Sequence, residues 1–125
     1  MLVQKDAPLI IRRALRDVAG VPVRSEFPHG WTPRDGPVIT VVGDGTPHAE
    51  RGWTRENVRI AVVAGDEPTA RDLAIQCDAF LLDPRNTLGL SIFPGAGLVT
   101  VRDTKLGGWI AAVTVRAATN RKEQS

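Results

Sequence analysis

The amino-acid sequence predicts one α+β domain, an α/β sandwich in which a mixed, mainly antiparallel sheet carries two helices on one face. Two segments repeat apolar residues at helical spacing, and five short segments have the apolar patterns of strands. The expected order is helix, three strands, helix, two strands, and strands joined by short loops pair most easily as antiparallel neighbours. The 125 residues suit a single domain over residues 1–125, with a frayed polar tail at 118–125.

The first predicted helix begins beside Asp6 and ends at Gly20. The Asp6 carboxylate can accept free amide protons of the first turn, and Pro8 suits that turn because it has no N–H to leave unpaired. Gly20 can adopt the left-handed conformation that often ends a helix. The apolar stripe between them consists of Ile11, Ala14, Leu15 and Val18.

Three predicted strands follow this helix. The first covers residues 21–27, and Pro22 indicates an edge position because proline cannot donate to a neighbouring strand. The second, residues 38–42, is almost continuously apolar and is predicted to be buried. The third, residues 56–65, alternates apolar with other residues.

The second predicted helix and a closing hairpin complete the fold. Asp66 is placed to cap the helix, Pro68 falls in its first turn, and the helix ends near Asp83. Its apolar stripe consists of Ala70, Leu73, Ala74, Cys77 and Leu81. Residues 98–102 and 109–117 are predicted to be antiparallel strands.

Turn-rich segments at residues 28–37, 43–54 and 85–97 are predicted to be long loops. Glycines in the second segment suggest a phosphate-binding loop, but the segment lacks the Gly-Lys-Ser/Thr ending and no helix follows it. A hairpin turn at Asp44–Gly45 is the better interpretation.

The charge distribution argues against nucleic-acid and membrane binding. Sixteen basic and fourteen acidic residues leave a net charge of +2 with the signs well mixed, whereas a nucleic-acid binder needs a basic stripe to neutralise phosphates. The nearest approach is Arg12, Arg13 and Arg16, which we interpret as a solvated helix face. No apolar run approaches the ~18–20 residues of a membrane-spanning helix, so no membrane association is expected.

The chain offers little for catalysis or metal binding. His29, His48 and Cys77 are the soft ligands, and none is spaced as zinc ligands are. Cys77 lies on an apolar helical stripe, where a free cysteine is a small buried hydrophobe. Ser25 or Ser91 can be combined with a histidine on paper, but Ser91 lacks the Gly-x-Ser-x-Gly elbow. We therefore expect no catalytic residue, no metal and no cofactor.

Aromatic and arginine side chains in the predicted loops form the candidate interface. Trp31, Trp53 and Phe93 lie in turn-rich segments, where a large apolar group is costly to leave in water. Each either folds back over the sheet edge or packs on a neighbouring subunit, since Trp and Arg are enriched at interface hot spots. Trp109, inside a predicted strand, is expected in the core. The predicted interface residues are Trp31, Arg34, Trp53, Arg55, Arg85 and Phe93.

The order of elements also resembles a known family. A helix leads into VPVRSEFP and PVITVVG, and a long loop then leads to ENVRIAVVAGDEPTARDLAIQCDAFLLD and a closing hairpin. This arrangement resembles the tail terminator (tail-completion) proteins of long non-contractile-tailed phages. The similarity is greatest over residues 57–82 and extends across residues 7–117.

The resemblance implies a virion protein, assembled in the host cytoplasm, that forms a homohexameric ring on the head-proximal end of the tail tube. Such a ring stops polymerisation of the tail tube protein and presents a surface to the head-closure or connector protein. Viral DNA passes through its lumen without specific binding, and the family brings no catalytic residues. Two alternatives stay open: another neck component, and a small hydrolase or ligand-binding domain that uses the His29/Trp31 and His48/Trp53 loops.

Overall fold

The structure, a computed structural model, confirms the α+β sandwich. It describes the backbone of residues 2–3, 6–43, 48–50, 53–86, 88–120 and 122–123, and the side chains of 6–43, 56–86 and 88–118. The elements in chain order are β1 (Leu2–Val3), α1 (Ala7–Ala19), β2 (Val23–Arg24), β3 (Val38–Gly43), β4 (His48–Glu50), β5 (Trp53–Ala64), α2 (Glu67–Leu82), β6 (Ser91–Pro94), β7 (Val99–Asp103), β8 (Gly108–Asn120) and β9 (Lys122–Glu123). A 3₁₀ turn (Pro33–Asp35) lies between β2 and β3.

Strands β2 to β8 form one mixed sheet whose centre is the long antiparallel pair of β5 and β8. β3 and β4 lie along the free side of β5, and β6 and β7 lie along the free side of β8. β2 forms the edge beside β3 and pairs with it in parallel, while the other described pairs are antiparallel. The sheet is therefore mainly antiparallel, as predicted.

The edge formed by β6 and β7 is interrupted by a bulge. Pro94 lies opposite Val115 and Val99 lies opposite Ala112, so residues 95–98 face only two residues of β8. The amide of Gly95 donates to the carbonyl of Thr114 at 2.9 Å, and the Thr114 amide donates to the carbonyl of Ala96 at 3.2 Å. These two hydrogen bonds hold the bulge against β8.

Both helices start at the caps that the sequence predicts. The Asp6 carboxylate accepts from the Leu9 amide at 3.1 Å, and Gly20 ends α1 with a φ of 67°. The Asp66 carboxylate accepts from the Thr69 amide at 2.9 Å at the start of α2. This hydrogen bond favours the ionised form and lowers the pKa of Asp66.

The core lies between the two helices and the facing side of the sheet. One side of the core is supplied by the helices: Ile11 and Leu15 of the first predicted stripe and all five residues of the second, whereas Ala14 and Val18 are only partly buried. Alternate residues of the central strands supply the other side. Its largest fully buried side chains are Ile11, Leu15, Ile39, Val41, Val58, Ile60, Val62, Cys77, Leu81 and Val115. Trp109 is partly buried and packs against this cluster.

Several predicted boundaries were wrong. The strand predicted at 21–27 has only two residues, because Pro22 and the turn after Arg24 limit its pairing with β3. The segments predicted as loops at 43–54 and 85–97 contain β4, the start of β5 and β6. The tail predicted to be frayed at 118–125 continues β8 to Asn120, and β9 pairs with β1. The turn predicted at Asp44–Gly45 lies outside the described residues.

Candidate interaction surface

The sheet has a second face that neither described helix covers. Side chains alternate between the two faces of a strand, so the residues between the core positions point away from the helices. We call this surface the helix-free face. It comprises Val38, Thr40, Val42, Arg59, Ala61, Val63, Phe93, Val99, Val101, Ile110, Ala112, Thr114 and Arg116.

One end of the helix-free face is closed by Trp31. The indole is only 5% exposed and packs against Val38 and Val63 in a small second core. Its Nε1 donates to the carbonyl of Gly36 at 2.9 Å, and Phe27 meets the ring edge-on with centroids 5.8 Å apart. Trp31 therefore folds back over the sheet and does not present the exposed surface that an interface residue needs.

The rest of the helix-free face has a buried centre, formed by Thr40, Ala61 and Ala112, and exposed apolar side chains around it. Val99 and Val101 are 57% and 53% exposed, and Val42 and Phe93 are also exposed. Ala61 and Ala112 lie between these side chains at the centre of the sheet, and their own side chains are small. Val99 and Val101 are neighbours on this face, and exposed apolar patches mark interaction sites in proteins.

The charge on this surface is positive. Arg59 and Arg116 are exposed on the helix-free face, and neither forms an ion pair with another described residue. Asp103, the acid on this face of β7, lies opposite Gly108, away from both arginines, and accepts from the amides of Lys105 and Leu106 at 3.0 and 3.1 Å. Asp103 is thus held in the turn after β7, which leaves two cationic groups beside the apolar surface.

The edges of the sheet are poor sites for pairing with another strand. β2 is two residues long and follows Pro22. The opposite edge carries Pro94 and the bulge at 95–98. Short strands, prolines and bulges all hinder edge-to-edge association. These features hinder strand pairing along part of each edge.

The other predicted interface residues are spread over the molecule. Arg34 is exposed in the 3₁₀ turn, and Phe93 lies on the helix-free face. Arg85 donates to Asp83 from Nε at 3.1 Å and from Nη2 at 2.9 Å, which lowers the pKa of Asp83 to about 2. Trp53, which was predicted in a loop, lies in β5 together with Arg55, and the side chains of both are outside the described part of the chain.

The predicted soft ligands were His29, His48 and Cys77. The described residues contain no group of three or more His, Cys, Asp or Glu side chains that could hold a metal ion. Cys77 is fully buried, as predicted, and burial together with the charge of Asp78 raises its pKa to about 11. His29 is exposed, and the side chain of His48 is outside the described set. Within that set, no helix is long and apolar enough to cross a membrane.

A basic cleft lies between α1 and the segment around β2. Arg12 and Arg16 of α1 line it together with Arg24 and Ser25. The sequence suggests only a solvated arginine face on the helix. Arg24 joins that face through the parallel pairing of β2 with β3, which helical spacing cannot reveal.

Sequence reasoning missed the main feature of the surface, the exposed valines of β7. A usable signal was present, because Val99 and Val101 share one face of a strand while Leu98 on the other face packs against the core. A strand with apolar residues on both faces needs cover on both.

In comparisons with known proteins, no family model matches the chain, and no curated protein matches it significantly.

Proposed function

We propose that this protein is a structural subunit of a homo-oligomeric ring, the tail terminator of a long non-contractile-tailed phage. The observation that best supports this is the helix-free face, on which Val42, Phe93, Val99 and Val101 remain exposed. Exposed apolar surface on a rigid sheet suits a protein whose work is assembly. We infer the kind of assembly, a hexamer on the tail tube, from the resemblance in the order of elements.

The proposed role follows from how a ring differs from a tube. Head-to-tail contacts between identical subunits close into a ring when each copy is rotated by a fixed angle. One side of the ring binds the last layer of tail tube protein. The other side binds the head-closure or connector protein and offers no site for more tube subunits, so polymerisation stops.

The long central pair of antiparallel strands suits such a subunit. β5 and β8 pair along their whole length, from Trp53 opposite Asn120 to Ala64 opposite Trp109, and the core covers one side of them. The subunit therefore presents a preformed surface. The net charge of +2 also fits a lumen through which DNA must slide, because a strongly basic wall would bind the phosphates.

The proposal is tested by electron microscopy of particles that lack this protein. The expected result is over-long tails that are not joined to heads, restored to normal by the wild-type protein. Normal-length tails beside heads that leak DNA would contradict the proposal and indicate another neck component. His29→Ala serves as the control, since failure of this variant to restore normal tails would instead indicate a histidine-dependent enzyme.

A further inference from the structure

Helix α2 carries a second exposed apolar surface on the opposite side of the molecule. The buried stripe of α2 faces the sheet, so the residues on the other side of the helix point directly away from the sheet. Ile75 is at the centre of this side and is 47% exposed. We call this surface the α2 outer stripe, and it comprises Pro68, Asp72, Ile75 and Ala79.

The α2 outer stripe and the helix-free face are complementary in charge. α2 carries Glu67, Asp72 and Asp78 against a single arginine, Arg71. The helix-free face carries Arg59 and Arg116, which form no ion pair with another described residue. An apolar centre beside acids on one surface therefore matches an apolar centre beside arginines on the other, which favours contact between them.

Symmetric contacts are less favourable. Two helix-free faces brought together would place the arginines of both copies beside one another, and two α2 outer stripes would bring their acids together. Like charges brought together at an interface repel each other and weaken the contact. The contact that satisfies both surfaces joins unlike patches, and it repeats from copy to copy.

We propose that the helix-free face of each subunit receives the α2 outer stripe of the next copy of this chain. The neighbouring helix then adds the missing third layer to a sheet that is apolar on both faces. Ile75 packs between Val99 and Val101, which lie opposite Ala112 and Ile110 of β8, and Asp72 lies near Arg59 or Arg116. The proposal rests on the ring-forming role above and identifies the surfaces that build the ring.

Disulfide cross-linking tests the contact directly in the purified full-length protein at high concentration. Ile75→Cys and Val101→Cys are made singly and together, and Cys77 is retained because it is buried and unreactive. Under mild oxidation the double variant is expected to give a ladder of oligomers. A mixture of the two single variants is expected to stop at the dimer, and each single variant alone stays monomeric.

Three outcomes would overturn the proposal. They are the absence of any cross-link, a dimer from Val101→Cys alone, which indicates face-to-face pairing, and a dimer from Ile75→Cys alone. The ladder also separates this contact from the function. If the ladder forms but particles lacking the protein have normal tails, the tail terminator function is contradicted and the contact is not. If those particles have over-long tails but no ladder forms, the contact is contradicted and the function is not.

Charge reversal provides a second, independent measurement. In the cross-linking background, Asp72→Arg is expected to reduce the yield of oligomers about tenfold, and Arg59→Asp in the same chain is expected to restore it. Asp17→Arg on α1 is the matched control and should leave the yield unchanged. A yield that Asp72→Arg does not lower, in a protein with wild-type thermal unfolding, would overturn the pairing.

Discussion

Replacing Val99 and Val101 together by aspartate changes the helix-free face without entering the core. Both side chains are more than half exposed in the subunit, and both lie in an outer strand. Complete burial of a valine side chain contributes about 1.5–3 kcal/mol. Since roughly half of each side chain is still accessible, assembly gains about 0.7–1.5 kcal/mol from each.

Loss of both valines should therefore weaken self-association by about 1.5–3 kcal/mol, or roughly 10- to 150-fold in Kd. Burial of the new carboxylates against the acidic α2 of the next copy increases this loss. In the free subunit, the unfavourable strand propensity of aspartate costs up to about 1 kcal/mol per site. The fold itself should survive.

Sedimentation velocity measures the association, and thermal unfolding followed by circular dichroism measures the stability. The Val99→Thr/Val101→Thr pair is the control, because threonine keeps the β-branched shape and adds no charge; its effect should be intermediate. Unchanged association in a folded aspartate variant would refute the assignment of this face as an interface. An aspartate variant that is unfolded at room temperature would show instead that these valines belong to the core.

Three further predictions concern the subunit itself. Gly95→Ala should lower the unfolding temperature by several degrees, because a Cβ there would lie 2.5 Å from the carbonyl oxygen of Thr114. Gly97→Ala is the control and should not lower it, since a Cβ at Gly97 would have nothing within 4 Å. Equal effects would contradict the bulge geometry. Cys77 should react with a thiol reagent near pH 8 about a hundredfold more slowly in the native protein than in denaturant, since burial raises its pKa to about 11; equal rates would place it at the surface. Burial and the charge of Asp6 raise the pKa of Glu56, so its protonated form favours the folded state and this contribution is lost as pH rises through the folded pKa. In denaturant unfolding, the stability of Glu56→Gln relative to wild type should therefore be greater at pH 7 than at pH 4. The opposite trend would contradict the raised pKa of Glu56.

The helices were predictable because their signals are local. A capping aspartate, a proline in the first turn and an apolar stripe define α1 and α2 within a few residues of their observed ends. Residues 38–42 and 56–65 were predictable as strands for a similar reason, since an apolar run of that length is buried in a sheet.

The missed strands depend on partners distant in sequence. β6 lies among glycines and prolines, which locally favour a loop, but Ile92 packs against the core and the strand pairs with the end of β8. The parallel pairing of β2 likewise depends on residues 25–37, which return the chain to the start of β3. Neither pairing has a signal within its own segment.

The candidate surface was predicted only in part. Phe93 was expected at an interface and does lie on the helix-free face, whereas Trp31 is buried by its own loop through the hydrogen bond to Gly36. The exposed Val99 and Val101 look like ordinary strand residues in the sequence. Their exposure is evident only once the sheet shows which face the helices cover.

The most direct test of the central claim is the tail-length distribution in particles that carry the Val99→Asp/Val101→Asp protein in place of the wild type. If the helix-free face builds the terminating ring, these particles should have over-long tails, as particles without the protein should, although the variant is folded. Tails of normal length, joined to heads at the wild-type frequency, would contradict the claim.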